Sequence, residues 1–365
     1  MTTASAREAG LGDLAEEHES FRESLRTHLE RVAVPQRERW AAQGSVPGDV
    51  LTAAAAHGFT AMAAPEEAGG LGVDDLRFSA IVLQEAARAG LTALGLVLLG
   101  HGDLPARALR AAPGEAMLWL RAIVDGELRA ATALDTPDLR LDDGGAVHGR
   151  QPAVVGGADA DLLVLAVRRD AGQVLVAVAT DDPAVRRGTG AAPVGLAAAG
   201  LAEVELDGAR ATVLEGADVE ALVADERLLL AVASVAAGRA ALATTVAYVT
   251  DRRAFGTPIS GFQNTRQLLG QAAAELEAAE AHVERCLARR TGAAAADGAD
   301  AAAVKLHAAE VLGRVVDAGV QLHGGYGYML EYPIARAFAD ARFLRLHGGS
   351  TQRLRDEVAV GLLGG

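Results

Sequence analysis

Near its C-terminus the chain reads Gln321-Leu322-His323-Gly324-Gly325-Tyr326-Gly327-Tyr328, then Glu331-Tyr332-Pro333, Asp340-Ala341-Arg342 and His347-Gly348-Gly349-Ser350-Thr351-Gln352. A glycine pair after a helical run stops the helix, because glycine enters the left-handed region without a Cβ penalty. The same freedom lets backbone approach a ligand closely. In a chain with 42 glycines one such pair means little. The run from Gln321 through Pro333 is long enough to be specific, and a second pair follows at Gly348-Gly349.

Outward from this stretch, composition sets the bounds. The chain has 365 residues, which suits two or three domains. Half of the residues are hydrophobic but only 4% are aromatic, so the core must be built from Ala, Leu and Val. Ala is the best helix former, which favours a mainly helical protein. A net charge of -14 argues against a nucleic-acid binder. The single Cys286 leaves no internal disulfide and no cysteine-built metal site. His323 and His347 lie near the glycine pairs, but no third ligand is spaced for a metal, so both are expected to be structural. Leu228 to Thr250 is long and apolar, yet it contains Arg239, Ser234 and three threonines, and reads as a buried core helix rather than a membrane span. No signal-peptide order opens the chain, and a cytoplasmic location is expected.

The hydrophobic pattern changes twice. From Leu11 to about Leu128 it is helical, with Phe21, Leu25, Leu29 and Val32 predicted on one buried face. Between Arg129 and Gly216 short Val-rich runs appear, such as Asp161 to Val167, Val174 to Val178 and Val204 to Ala209, and these read as strands. Helices then return, predicted over 225–253, 264–291, 300–323 and 333–343, with a Gly/Ala/Asp loop from Gly292 to Asp300. The expected fold is α+β and mainly α: an N-terminal helical domain (1–128), a central small β-barrel domain (129–217) and a C-terminal four-helix bundle (218–365).

Arg252-Arg253-Ala254-Phe255-Gly256 follows the first long helix of the last domain, and Gln263 comes shortly after. An arginine fork matches phosphate oxygens, a phenyl ring can lie against a nucleoside, and a glutamine can hydrogen-bond one. Taken with Gln321, Gly324 and Gly325, this pattern resembles the Arg-x-x-Phe-Gly and Gln-x-x-Gly-Gly motifs of the acyl-CoA dehydrogenases. The helix–β–helix order agrees. The resemblance implies an FAD-dependent enzyme that desaturates an acyl thioester on coenzyme A or on a carrier protein. It implies reoxidation by an electron-transfer flavoprotein, and an oligomer of like or related subunits in which Arg252, Phe255 and Gln263 reach a neighbour's cofactor. Ser350 and Gln352 fall where the family places polar residues beside the flavin.

The family's catalytic glutamate often stands in Tyr-Glu-Gly-Thr, and here that motif reads His347-Gly348-Gly349-Ser350. A glycine cannot take a proton. One branch, resembling isovaleryl- and long-chain-type enzymes, carries its glutamate on the helix before the arginine motif. Glu226 stands 26 residues before Arg252, as that branch requires, and is the candidate base, with Asp225 its nearest rival. The β domain departs further. Asp135-Thr136-Pro137 stands for Thr-Glu-Pro, and Ala153 and Val155 replace a flavin-covering Trp and a hydroxyl-bearing Thr. Two alternatives stand beside the dehydrogenase, the first motivated by the Ala153 and Val155 losses and the second by the missing glutamate at Gly348. One is a non-catalytic or half-site subunit of a mixed oligomer. The other is a flavin monooxygenase on the same fold.

Overall fold

The computed structural model describes residues 11, 14–170, 172–188, 192–292 and 298–364. Seven helices come first: α1 (Glu16–His28), α2 (Arg37–Gln43), α3 (Gly48–Ala56), α4 (Leu76–Arg88), α5 (Thr92–Leu98), α6 (Leu104–Leu109) and α7 (Glu115–Val124). Eight strands follow: β1 (Ala130–Ala133), β2 (Arg140–Leu141), β3 (Ala146–Val154), β4 (Leu162–Arg169), β5 (Gly172–Ala179), β6 (Val185–Gly188), β7 (Ala202–Arg210) and β8 (Thr212–Val213). The last part holds α8 (Val219–Asp251), a hairpin of β9 (Arg253–Ala254) and β10 (Thr257–Pro258), α9 (Gln263–Thr291), α10 (Gly298–His323), α11 (Pro333–Leu344) and α12 (Thr351–Leu363).

The predicted first helix keeps Leu25 and Leu29 buried, but Val32 is 44% exposed. A wider helical turn over Leu29–Ala33 shifts the phase, so that Ala33 takes the buried position. The central strands form one curled sheet in the order β6-β7-β3-β2-β4-β5-β8, with β1 added in parallel beside β4. β4 is buried on both faces. Leu162, Val164 and Ala166 join the helical core, while Leu163, Leu165 and Val167 join the sheet's own core. That period of two is why its sequence is an unbroken apolar run.

The helix predicted from Asp225 begins six residues earlier, because the Asp218 side chain accepts a hydrogen bond from the Ala221 amide at 3.0 Å and caps it. At 33 residues, α8 is long and apolar enough to span a membrane, but Leu228 to Ala236 are all buried within the protein. It packs against α4, α9, α10 and α11. Of the expected 292–300 loop, residues 293–297 lie outside the described residues and 298–300 already belong to α10. A fifth helix, α12, joins the four expected ones, capped by the Ser350 hydroxyl.

The sheet domain meets α11 through a close backbone approach. A Cβ at Gly195 would stand 2.5 Å from the Ala339 carbonyl carbon, and the Leu196 amide donates to Asp340 Oδ1 at 2.6 Å. Gly195→Ala should therefore push the two apart and cost about 2–4 kcal/mol, from overpacking and the weakened hydrogen bond. Chemical denaturation would read this as a lower midpoint. An unchanged midpoint would mean that the contact is loose.

Candidate active site

Three titratable side chains, two buried and one nearly so, converge where α8, α10 and the α11–α12 turn meet. Glu226 lies in the second turn of α8 and is 2% exposed. Lys305 projects from α10 and is 1% exposed. His347 follows α11, with its side chain 17% exposed. The turn between them has positive φ at Gly348 (+69°) and Gly349 (+114°), a conformation that favours glycine. Two buried cations clamp it. Arg227 Nε donates to the Gly348 carbonyl at 3.1 Å, and Lys305 Nζ donates to the Gly349 carbonyl at 2.6 Å. Arg227 is also held in a two-pronged pair with Glu357 of α12, at 2.6 and 3.0 Å.

Glu226 is held differently. Its Oε2 has no hydrogen-bond partner among the described residues, and its Oε1 lies 3.6 Å from His347 Nε2. Burial, reinforced by the negative charge of Asp135, pushes its carboxyl up to about 7. Burial also pushes the Lys305 ammonium down to about 8, against the pull of Glu226, and His347 down to about 4. At neutral pH the imidazole is therefore uncharged and the carboxyl is close to half-ionised. Asp225, the neighbouring acid, is engaged elsewhere. Both its oxygens accept from Arg290, at 2.6 and 2.9 Å, and Arg107 lies 3.8 Å away.

The structure divides the remaining predicted residues between the two ends of α8. Glu226 shares its end with Ser350 and Gln352. Ser350 Oγ accepts the Arg353 amide as the α12 cap, at 3.4 Å, and Gln352 is exposed on the first turn. Arg252, Phe255, Gln263, Gln321, Gly324 and Gly325 gather at the far end. The Arg252 guanidinium lies 5.4 Å from the Tyr326 ring centre, and Tyr248 donates to the His323 carbonyl at 3.3 Å. Phe255 is 98% exposed, with φ of +52°. Arg252 has no acidic partner among the described residues. Twenty-six residues of helix place the two ends about 39 Å apart.

Several site residues were not legible in advance. Asp135, two residues past β1, pairs with Arg353 of α12, which also donates to Glu357 at 2.9 Å. Lys305 had a signal: it sits on the α10 face carrying Ala301, Ala302, Ala308 and Ala309, where a lone cation is out of place. His323 is held within its own helix, its Nδ1 2.7 Å from the Gly319 carbonyl four residues earlier and its ring stacked on Tyr248. Val155 is 3% exposed and faces the helical core. A cavity of about 590 Å³ lies apart from all of these, between α1, α4, α8 and α11. Its arginines are already paired, Arg22, Arg26 and Arg88 with Glu85, Arg37 and Arg336 with Glu38, and Arg239 with Glu280.

Comparison with known proteins agrees over nearly the whole length. Residues 15–127 match the acyl-CoA dehydrogenase N-terminal domain, and residues 215–363 match the C-terminal domain. The long-chain specific acyl-CoA dehydrogenase of Sus scrofa is 28% identical, over 94% of this chain and 86% of that protein. The crystal structure of an acyl-CoA dehydrogenase from Geobacillus kaustophilus superposes with a TM-score of 0.85 at 28% identity, covering 96% of this chain and 98% of that one. A glutaryl-CoA dehydrogenase from Mycobacterium smegmatis, solved in complex with FADH2, gives 0.85 at 18% identity, with 96% of each chain covered, and so supports the fold. With both domain matches in place around the same sheet, the chain belongs to the acyl-CoA dehydrogenase family of oxidoreductases.

Proposed function

We propose that this chain is an FAD-dependent acyl-thioester dehydrogenase in which Glu226 removes the α-proton. One observation carries the reading: a buried carboxyl, raised to about 7, with an oxygen that none of the described residues hydrogen-bonds. A general base works best with its pKa near the working pH, and burial supplies that shift here. The bidentate pairing of Asp225 with Arg290 leaves Glu226 the better placed of the two acids.

The residues present fit FAD. At the far end of α8, an arginine without an acid partner, an exposed ring and exposed glutamines suit a pyrophosphate and adenosine. Arg252, Phe255, Gln263, Gln321, Gly324 and Gly325 would hold that portion. Ser350, whose hydroxyl hydrogen is still available, and Gln352 would hold the flavin portion. When bound, FAD supplies the acceptor for the hydride that leaves the β-carbon. The two sets are too far apart on one chain to grip one dinucleotide, so each site would draw its adenine-side residues from a second copy. The substrate is an acyl group on coenzyme A or a carrier protein, and the electrons pass on to an electron-transfer flavoprotein.

Ionised Glu226 accepts the proton and protonated Glu226 cannot. The rate of acyl-CoA-driven flavin bleaching should therefore rise about tenfold per pH unit below about pH 7 and level off above it. Anaerobic stopped-flow reduction across pH 5–9 measures this, and a flat profile would count against the assignment. The buried Val155 and the small Ala153 favour a second reading, a half-site subunit with fewer groups to cover a flavin. Purified protein that is yellow and bleached by acyl-CoA supports the first reading. Colourless protein that gains flavin only with a co-expressed relative supports the second.

A further inference from the structure

We propose that His347 is a positioning residue for Glu226: with substrate in the site, its Nε2–H donates to the carboxylate and aims it at the substrate. The proposal rests on Glu226 being the base, and goes beyond it by assigning the group that holds that base in register.

Among the described residues, His347 is the only basic side chain in ion-pair range of Glu226, with Nε2 3.6 Å from Oε1. That is just longer than a hydrogen bond, and catalytic contacts of this kind tighten when substrate fills a site. The imidazole is held for the task. It stacks on Phe343 one turn earlier, with ring centres 5.2 Å apart and planes 28° apart. Its own amide donates to the Phe343 carbonyl at 3.0 Å. The next two residues are the turn clamped by Arg227 and Lys305, which fixes the backbone that carries the ring.

The charges around the pair fix the direction of proton donation. Glu226 faces Asp135 from just past β1, Arg227 from its own helix, Lys305 from α10 and His347 from the end of α11. Burial and the Lys305 charge keep His347 neutral above about pH 4. A neutral imidazole has one N–H, and a carboxylate is satisfied only by the tautomer that places it on Nε2. His347 can thus donate to ionised Glu226 and cannot itself act as the base's proton store. A bond made to the ionised form lowers the pKa of Glu226 and limits the rise that burial alone would impose.

The test uses His347→Phe, which keeps the stack on Phe343 but removes the donor, and His347→Gln, which retains an N–H of similar reach. Two readouts are taken on the flavin-loaded protein: the pH midpoint of acyl-CoA-driven reduction, and the infrared titration of the buried carboxyl with an unreactive acyl-CoA analogue filling the site. His347→Phe should move both midpoints up by about one pH unit or more, a loss of about tenfold in rate below pH 7. The high-pH plateau should change only a few-fold, and His347→Gln should restore most of the shift. A uniform loss of rate with neither midpoint moved would mean that His347 is merely structural and would overturn the proposal. If His347→Phe does not fold, the midpoints of His347→Gln and His347→Asn decide it, since Asn is too short to reach and should shift upward. Flavin reduction that survives Glu226→Gln would instead sink the base assignment, while the infrared titration would still report whether His347 holds the carboxyl.

Discussion

Glu226→Gln should slow acyl-CoA-driven flavin reduction by about 10²- to 10⁴-fold while leaving flavin content unchanged, because an amide of the same shape cannot take a proton. The loss should not be shared by Asp225→Asn. Asp225 is tied to Arg290, and its removal would appear chiefly as a stability defect from a half-buried arginine left without its partner. Stability gives Glu226→Gln a second signature. The folded carboxyl titrates near 7 and the unfolded one near 4.5, so folding is penalised by the ionised form. The penalty is absent below the unfolded value, grows as pH rises between the two, and is complete above about 7. Glu226→Gln should therefore stabilise the protein by about 2–3 kcal/mol at pH 8 and by almost nothing at pH 4. Denaturation at the two pH values checks this, and a variant that is less stable at pH 8 would mean that the carboxylate is satisfied after all.

Gly348→Glu, which restores the common position of the family's glutamate, should fail both as an enzyme and as a fold. Gly348 has φ of +69°, and a Cβ there would stand 2.5 Å from Leu230 Cδ1 and 3.8 Å from Glu226 Oε2. Left-handed backbone, a clash with a fully buried leucine and a second carboxyl in one dry site add up to about 3–6 kcal/mol. The double variant Glu226→Gln with Gly348→Glu should recover no activity. Because the clash is with Leu230, Gly348→Glu should cost less in a Leu230→Ala background than in the wild type, a coupling that thermal or chemical denaturation can resolve. The geometry explains why base and glycine go together. Leu230, one turn beyond Glu226, fills the space that a side chain at position 348 would need.

Much of this was readable from residues alone, because it depended on spacing along one helix. The distance from Glu226 to Arg252 is a property of α8, and α8 announces itself by its apolar length. Its start was misplaced because Asp218 caps the helix ahead of its apolar stretch. The helix α12 has no apolar stripe to announce it, because Thr351 to Leu363 mixes four charged residues into its first two turns, and only Leu354 and Thr351 are buried. Ser350 was read for its family position, and its capping role emerged with the helix. The choice between Glu226 and Asp225 needed Arg290, 65 residues away, and the Asp135–Arg353 pair spans 218 residues. No local pattern encodes contacts of that separation. Lys305 and Arg227 follow the same logic, since their burial comes from the packing of α8, α10 and the turn between α11 and α12.

The most direct test isolates proton removal from electron transfer. An acyl-CoA whose β-carbon is replaced by sulfur has no hydride to lose, so any exchange of its α-hydrogen with deuterated solvent reports the base alone. Mass spectrometry of the recovered thioester should show enzyme-dependent α-deuteration by the wild-type protein, rising with pD through the titration of Glu226, and none above background with Glu226→Gln. Equal deuteration by both proteins would contradict the account.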